Sequence, residues 1–168
     1  MLCLSRHLLH VIAALLSVAL MTVCSTNELD VIVLVTGSSS GIGKGIALAF
    51  ASEPGFKVYA SMRNPEKWDQ PPQDNLVVSA MDVSSEDSVN DAVNLIEKME
   101  GRGIDIIVNN AGYGIVGTLE TVKVSEAKEL FDVNVWGPVR VLQAVLPGMR
   151  KRKKGQVINI SSTSGYTC

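Results

Sequence analysis

The chain has 168 residues, 46% hydrophobic, 19% charged and 5% aromatic, with 14 glycines and 15 Lys+Arg against 17 Asp+Glu for a net charge of −2. That composition excludes a disordered or collagen-like chain, and the balanced charge provides no broad basic face, so no nucleic-acid partner is expected. Cys3, Cys24 and Cys168 lie at the two ends and cannot staple an interior, which leaves a single hydrophobic core as the expectation.

Leu8 to Cys24 are seventeen consecutive residues without a formal charge, preceded by Arg6. This run is at the lower limit for spanning a bilayer and slightly longer than the usual signal-peptide core, so residues 1–29 read as a signal peptide or a signal-anchor leader, with a buried helix as the third reading. Membrane association through residues 8–24 and placement in the endoplasmic reticulum membrane or secretory pathway are the corresponding expectations. If the leader is unused, the chain is cytoplasmic. Residues 30–168 read as one further domain.

From Asp30 onward, short Val/Ile-rich runs alternate with longer helical periods, the pattern of βαβ units in an α/β fold. The runs are Val31 to Thr36, Lys57 to Met62, Leu76 to Ala80, Ile104 to Asn109 and Gln156 to Ser161, each continuous enough for a parallel strand buried on both faces. Asn64 to Asn75 contains three prolines and predicts a loop with at most one helical turn. Ser84 is placed to cap a helix with Glu86 and Asp87 in its first turn, an apolar stripe of Val89, Ala92, Val93, Ile96 and Met99, and stop signals at Gly101 and Gly103. A second helix from about Ser125 carries Leu130, Phe131, Val135, Val139, Leu142, Val145 and Leu146, with Gly137-Pro138 predicted to kink or divide it. Arg150 to Lys154 is the one dense basic run; it reads as a solvated helix end, with a localisation signal or a lipid-headgroup contact as alternatives.

The segment most informative about function is the first strand running directly into Gly37-Ser-Ser-Ser40-Gly41-Ile42-Gly43 and then a helical pattern. Glycines allow positive φ and close approach of the backbone to a ligand, while the following helix presents free N–H groups and the positive end of its dipole to a phosphate. A P-loop would require Gly at 38 and Ser or Thr at 45, where the chain has Ser38 and Gly45. A dinucleotide site is the reading that remains beside a purely structural turn. Such sites that prefer NAD place an acid about 20 residues on, at the end of the second strand, for the ribose 2′-hydroxyl. Ser61-Met62-Arg63 stands there instead, and an arginine pairs with a 2′-phosphate, so NADP is expected over NAD unless Arg63 is merely a solvated charge.

With its Thr36-Gly37-x-x-x-Gly41-x-Gly43 motif, the chain resembles the commonest subfamily of short-chain dehydrogenases/reductases, and later motifs agree in order and spacing. Asp82-Val83 is similar to the family's adenine-contacting pair, Asn109-Asn110-Ala111-Gly112 to its N-N-A-G motif, and Asn134 to the helix asparagine whose main chain binds a relay water. Ser162 matches the catalytic serine better than Ser161 does. The resemblance implies a doubly wound Rossmann sheet of order 3-2-1-4-5, five of an expected seven strands. It also implies cofactor contacts at Gly37, Ser39, Ser40, Gly41, Ile42, Gly43, Arg63, Asp82, Val83, Asn109, Ala111 and Gly112. Each of these residues also has a plain structural alternative; Asp82, for one, could cap a helix.

In detail, Tyr59 to Arg63 and Val145 to Met149 resemble the retinol and hydroxysteroid dehydrogenase branch. That branch implies hydride transfer between a nicotinamide and a small lipophilic alcohol or ketone, retinoid- or steroid-like. The family's Tyr-x-x-x-Lys belongs about a dozen residues beyond Ser162, whereas the sequence ends six residues after it. Tyr59, Tyr113 and Tyr166 lack the required lysine four residues on. Two readings follow: the N-terminal part of an NADP-dependent oxidoreductase, or a catalytically inactive nucleotide-binding or interaction module. In either, this chain by itself is expected to bind NADPH weakly or not at all and to show no dehydrogenase activity. A homodimer or homotetramer is expected only of a complete form.

Overall fold

A computed structural model describes residues 31–162; the leader, Tyr166 and Cys168 lie outside the described residues. The apolar run at Val31 forms strand β1 (Val31–Thr36), whose side chains point alternately to the two faces of a sheet and are buried on both. Chain order then gives α1 (Gly41–Ala51), β2 (Phe56–Met62), a single 3-10 turn at Pro65–Lys67, β3 (Leu76–Ala80), α2 (Glu86–Glu100) and β4 (Ile106–Asn109). They are followed by α3 (Val124–Phe131), a π-helical turn (Asp132–Trp136), α4 (Gly137–Arg152) and β5 (Gln156–Asn159). All five strands are parallel, in the order β3-β2-β1-β4-β5, the doubly wound topology expected.

Alternation along the strands builds two core layers. Val33, Val35, Val58, Ala60, Ile106 and Val108 face α1, where Ile46, Ala47 and Phe50 close the layer and Phe50 meets Phe56 edge-on with ring centroids 5.2 Å apart. Ile32, Leu34, Tyr59 and Ile107 point the other way, onto Val89, Val93 and Ile96 of α2 and Val141, Val145 and Met149 of α4. Each such side chain contributes about 1.5–3 kcal/mol by leaving water.

Several local expectations are corrected. Ser85, not Ser84, caps α2, its Oγ accepting from the Ser88 N–H at 3.3 Å, because Ser84 is engaged with the Asp82 carboxylate. Met99 is 58% exposed and does not belong to the buried stripe of α2. Gly101 does end that helix, in the left-handed region at φ 66°. Strand β4 starts at Ile106 because Asp105 turns its carboxylate to accept the Ile32 N–H at 3.0 Å. The expected break at Gly137-Pro138 takes the form of a π turn just before it. One extra residue per turn rotates the following helix, so Val139 is exposed, and Val141, Val145 and Met149 make the buried face; Phe131 before the turn and Val135 within it are exposed as well. Strand β5 alternates partly buried and exposed residues, unlike β1, which is buried from Ile32 to Thr36, and it ends at Asn159 instead of Ser161.

Candidate functional site

At the carboxyl ends of the strands, Thr36 is the hub of a lock between two loops. Its Oγ1 accepts the backbone N–H groups of Asn110 and Ala111, both at 3.0 Å. The Asn110 side-chain amide returns the contact, donating to the carbonyls of Thr36 at 3.0 Å and Gly37 at 3.1 Å. The glycines are required by this dovetailing. A Cβ on Gly37 would lie 2.6 Å from the Ala111 Cα, and one on Gly43 would lie 2.2 Å from Asn110 Nδ2 and 2.4 Å from the Gly37 carbonyl oxygen. Gly37 and Gly41 also have φ of 68° and 56°, which other residues adopt only at a cost.

The outer side of the same turn is open. Apart from its chain neighbours and the backbone of its own helix, no described heavy atom lies within 4 Å of a Cβ built on Gly41, and Ser39, Ser40 and Ile42 are exposed. Ser40 is the N-cap residue of α1 yet makes no side-chain bond to the helix, and the first turn of α1 carries no acid. Free backbone donors without opposing negative charge suit a pyrophosphate, so the residues present fit a dinucleotide. Lys44, one turn into α1, pairs with Asp69 and lies 5.8 Å from the Trp68 ring, tying the loop after β2 to the helix.

Arg63 follows β2, exposed, and the Ser38 N–H donates to the Ser61 carbonyl at 3.0 Å, bringing the end of β2 against the glycine turn. Asp82, beyond β3, accepts from the Ser84 N–H at 3.0 Å and the Ser84 hydroxyl at 2.7 Å. Burial disfavours its ionisation, but these bonds and the charges of Arg63 and Arg140 outweigh it and hold the carboxyl below the ordinary range. Val83 is buried and turned into the core against Gly137. Asn109 is buried at the end of β4, its Nδ2 donating to Asn159 Oδ1 at 2.9 Å, while its own Oδ1 finds no partner among the described residues.

The opposite wall is the α3–π–α4 segment. Asn134, inside the π turn, grips the Tyr113 backbone with both ends of its amide: Nδ2 donates to the Tyr113 carbonyl at 2.8 Å, and Oδ1 accepts the Tyr113 N–H at 3.1 Å. Gly112 lies beneath, a Cβ there falling 3.1 Å from Asn134 Oδ1. Arg140 secures the turn by donating to the Asp132 carbonyl at 3.1 Å, the Asp132 carboxylate at 2.5 Å and the Val83 carbonyl at 3.3 Å. Ser162 lies exposed beyond β5, and the Ile160 N–H donates to the Asn109 carbonyl at 2.9 Å, so the segment leading to Ser162 runs beside the end of β4.

The glycine turn and Asn109 to Gly112 thus come together directly, and Asn134 reaches the same loop through Gly112 and Tyr113. Thr36, Asn110 and Arg140 carry much of the geometry without having been singled out as site residues. The first two stand within the motifs; Arg140, eight residues beyond Asp132, has no local signal.

The profile of the short chain dehydrogenases matches residues 31–167. Retinol dehydrogenase 8 from Bos taurus is 37% identical over 142 residues, covering 79% of this chain and 45% of the relative. Human 17-beta-hydroxysteroid dehydrogenase type 1 is 39% identical over 145 residues, covering 80% and 43%. Among solved structures, a short-chain dehydrogenase from Streptomyces avermitilis superposes with a TM-score of 0.76 at 34% identity over 85% of this chain and 53% of that one. ElxO with NADP bound gives 0.73 at 31% identity over 83% and 58%. The chain spans about half the length of the relatives it matches. With the glycine turn, the N-N-A-G loop and the doubly wound sheet in one register, this chain belongs to the short-chain dehydrogenase family.

Proposed function

We propose that this chain supplies the NADP(H)-binding part of an oxidoreductase that interconverts a lipophilic alcohol and its ketone or aldehyde, of retinoid or steroid type. The observation that carries the cofactor part is the open turn at Gly41, with exposed Ser39, Ser40 and Ile42 and no acid in the first turn of α1. Arg63 beside that turn, where an NAD site would place a carboxylate, favours the 2′-phosphate. The bound nicotinamide supplies or accepts the hydride. Gly37, Ser39, Ser40, Gly41, Ile42 and Gly43 hold the pyrophosphate, Arg63 the 2′-phosphate, and Asp82, Val83, Asn109, Ala111 and Gly112 line the remainder. Ser162 hydrogen-bonds the substrate oxygen, and Asn134 keeps the loop after β4 in place behind it. The likeness to retinol dehydrogenase 8 and 17-beta-hydroxysteroid dehydrogenase type 1 supports the substrate class. The uncharged run at residues 8–24 supports membrane association, with the endoplasmic reticulum as the compartment proposed.

Nicotinamide fluorescence on titration with NADPH and NADH tests the cofactor reading. NADPH is expected to bind at least tenfold tighter, and Arg63→Met to remove that preference, since a charge-assisted bidentate contact is worth about 1.5–3 kcal/mol. Equal affinities in the unaltered chain would overturn it. Turnover confined to polar sugars would overturn the substrate class. A coding sequence without a Tyr-x-x-x-Lys beyond Cys168 would favour the inactive nucleotide-binding module.

A further inference from the structure

We propose that the end of the sheet opposite the glycine turn docks on an anionic lipid surface through Arg150, Lys151, Lys153 and Lys154. The inference does not depend on the cofactor reading. Its first support is topological. All five strands are parallel, so the starts of β1 and β5 lie at one end and the glycine turn at the other. The register links Val33 to Ile106 and Ile106 to Gln156, which sets the basic run just before β5 level with the start of β1, two strands away. Two strand spacings are about 10 Å. Six residues separate Cys24, the end of the uncharged run, from Val31, a reach of about 25 Å at most. An apolar segment and a cationic cluster therefore join the fold at the same end, the combination that engages a bilayer core and its headgroups together.

The second support is how the five cations divide. Arg152 is consumed by the fold: its guanidinium donates to the Ile104 carbonyl at 2.8 Å and fills the space over Gly103, where a Cβ would meet Arg152 Nη1 at 1.9 Å. Arg150, Lys151, Lys153 and Lys154 are exposed, and among the described residues none of them forms an ion pair. Glu53, Asp74 and Glu100 also belong to this end, but they follow α1, precede β3 or lie on α2; Glu97 reaches Gly148 of α4, on the side where Arg152 lies, whereas the four exposed cations are contiguous beside β5. Lys153 adds an independent sign. It ends α4 with φ 53°, the only non-glycine residue with positive φ among those described. Glycine is the cheaper residue for that position, so a lysine there keeps a charge at the expense of backbone strain. Docking by this end leaves the glycine turn facing the aqueous phase, from which a soluble dinucleotide enters.

The test is the half-saturating lipid concentration for the full chain on phosphatidylcholine vesicles, divided by that on vesicles with 30% phosphatidylserine. The ratio cancels whatever residues 8–24 contribute to both. At about 0.1 M salt it is expected to exceed tenfold, since each cation near an anionic surface contributes roughly fivefold. It should collapse toward one at about 1 M salt or in the combined Arg150→Gln, Lys151→Gln, Lys153→Gln, Lys154→Gln variant. Lys153→Gly alone should lower it severalfold while raising the melting temperature, which separates lost charge from lost folding. Lys67→Gln and Lys128→Gln, away from this end, should leave it unchanged. A ratio near one in the unaltered chain, or one indifferent to the four substitutions, overturns the proposal. So does capture of RNA by the four residues without preference for phosphatidylserine.

Discussion

The two walls of the candidate cleft are built by different means. The glycine-turn wall is a dovetail: Thr36, Gly37 and Gly43 meet Asn110 and Ala111 at separations that leave no room for a single added carbon. The π turn of the opposite wall is held by reach, with Asn134 gripping the Tyr113 backbone and Arg140 gripping Asp132 and Val83, while Phe131, Val135 and Trp136 beside them are exposed. A dovetail fails when anything is added, and a reaching side chain fails when it is taken away. The first wall positions a rigid ligand edge. In the second, polar contacts fasten the π turn, while α4 beyond it is anchored in the core by Val141, Val145 and Met149.

Adding one carbon separates the two mechanisms most sharply. Gly43→Ala would set a Cβ 2.2 Å from Asn110 Nδ2 and 2.4 Å from the Gly37 carbonyl oxygen, and the second of these is backbone that cannot swing aside. A loss of about 3 kcal/mol is expected from the urea midpoint. Gly41→Ala has φ 56° but nothing within 4 Å, so it should lose only about 1 kcal/mol. If both substitutions cost the same, left-handed backbone alone explains the glycines and the dovetail does not exist.

Removing a reaching group is the complementary experiment. Asn110→Ala takes donors from the carbonyls of Thr36 and Gly37 in a half-buried place and should cost about 2 kcal/mol. Asn134→Ala removes two bonds at an exposed site, where water can substitute, and should cost about 1 kcal/mol. Its signature is local: amide exchange at Tyr113 should accelerate while exchange in β1 does not. Faster exchange throughout β1 would show that the second wall is as integral to the sheet as the first.

This division also explains what could be read from the amino-acid sequence. Glycines with no room for a Cβ, and continuous Val/Ile runs, leave a one-dimensional trace, so β1 and the turn were legible, while the N-N-A-G assignment and the strand order came with the family resemblance. The π turn was not, because one inserted residue changes which face of α4 is buried without changing composition; Val139 therefore looked like core. Arg140 and Arg152 were equally hidden. Arg140 is the single charge between Asp132 and Arg150 and Arg152 stands inside the basic run, and only the fold brings Val83 to the first and Gly103 to the second. Asp82 resembled an adenine contact, and its capping of Ser84 is a role that residue type alone leaves open.

The smallest expected effect tests whether the loop after β3 answers to both walls. Burial opposes ionisation of Asp82, yet the Ser84 hydrogen bonds, Arg63 and Arg140 hold its carboxyl below the ordinary range. A carboxyl whose folded pKa is depressed adds stability that is fully present above its unfolded pKa of about 4 and is lost as pH falls through the folded value. Arg140→Met removes one of the two cations while leaving both Ser84 bonds, so the acid-side loss of stability should become shallower, and less so than in Asp82→Asn, which removes it. The measurement is chemical denaturation between about pH 6 and pH 2. At neutral pH the same Arg140→Met change should cost about 1–2 kcal/mol through the lost bonds to Asp132 and Val83. If the pH slope is untouched while the neutral-pH cost appears, Arg140 braces the π turn alone, and the loop after β3 belongs electrostatically to the glycine-turn wall through Arg63.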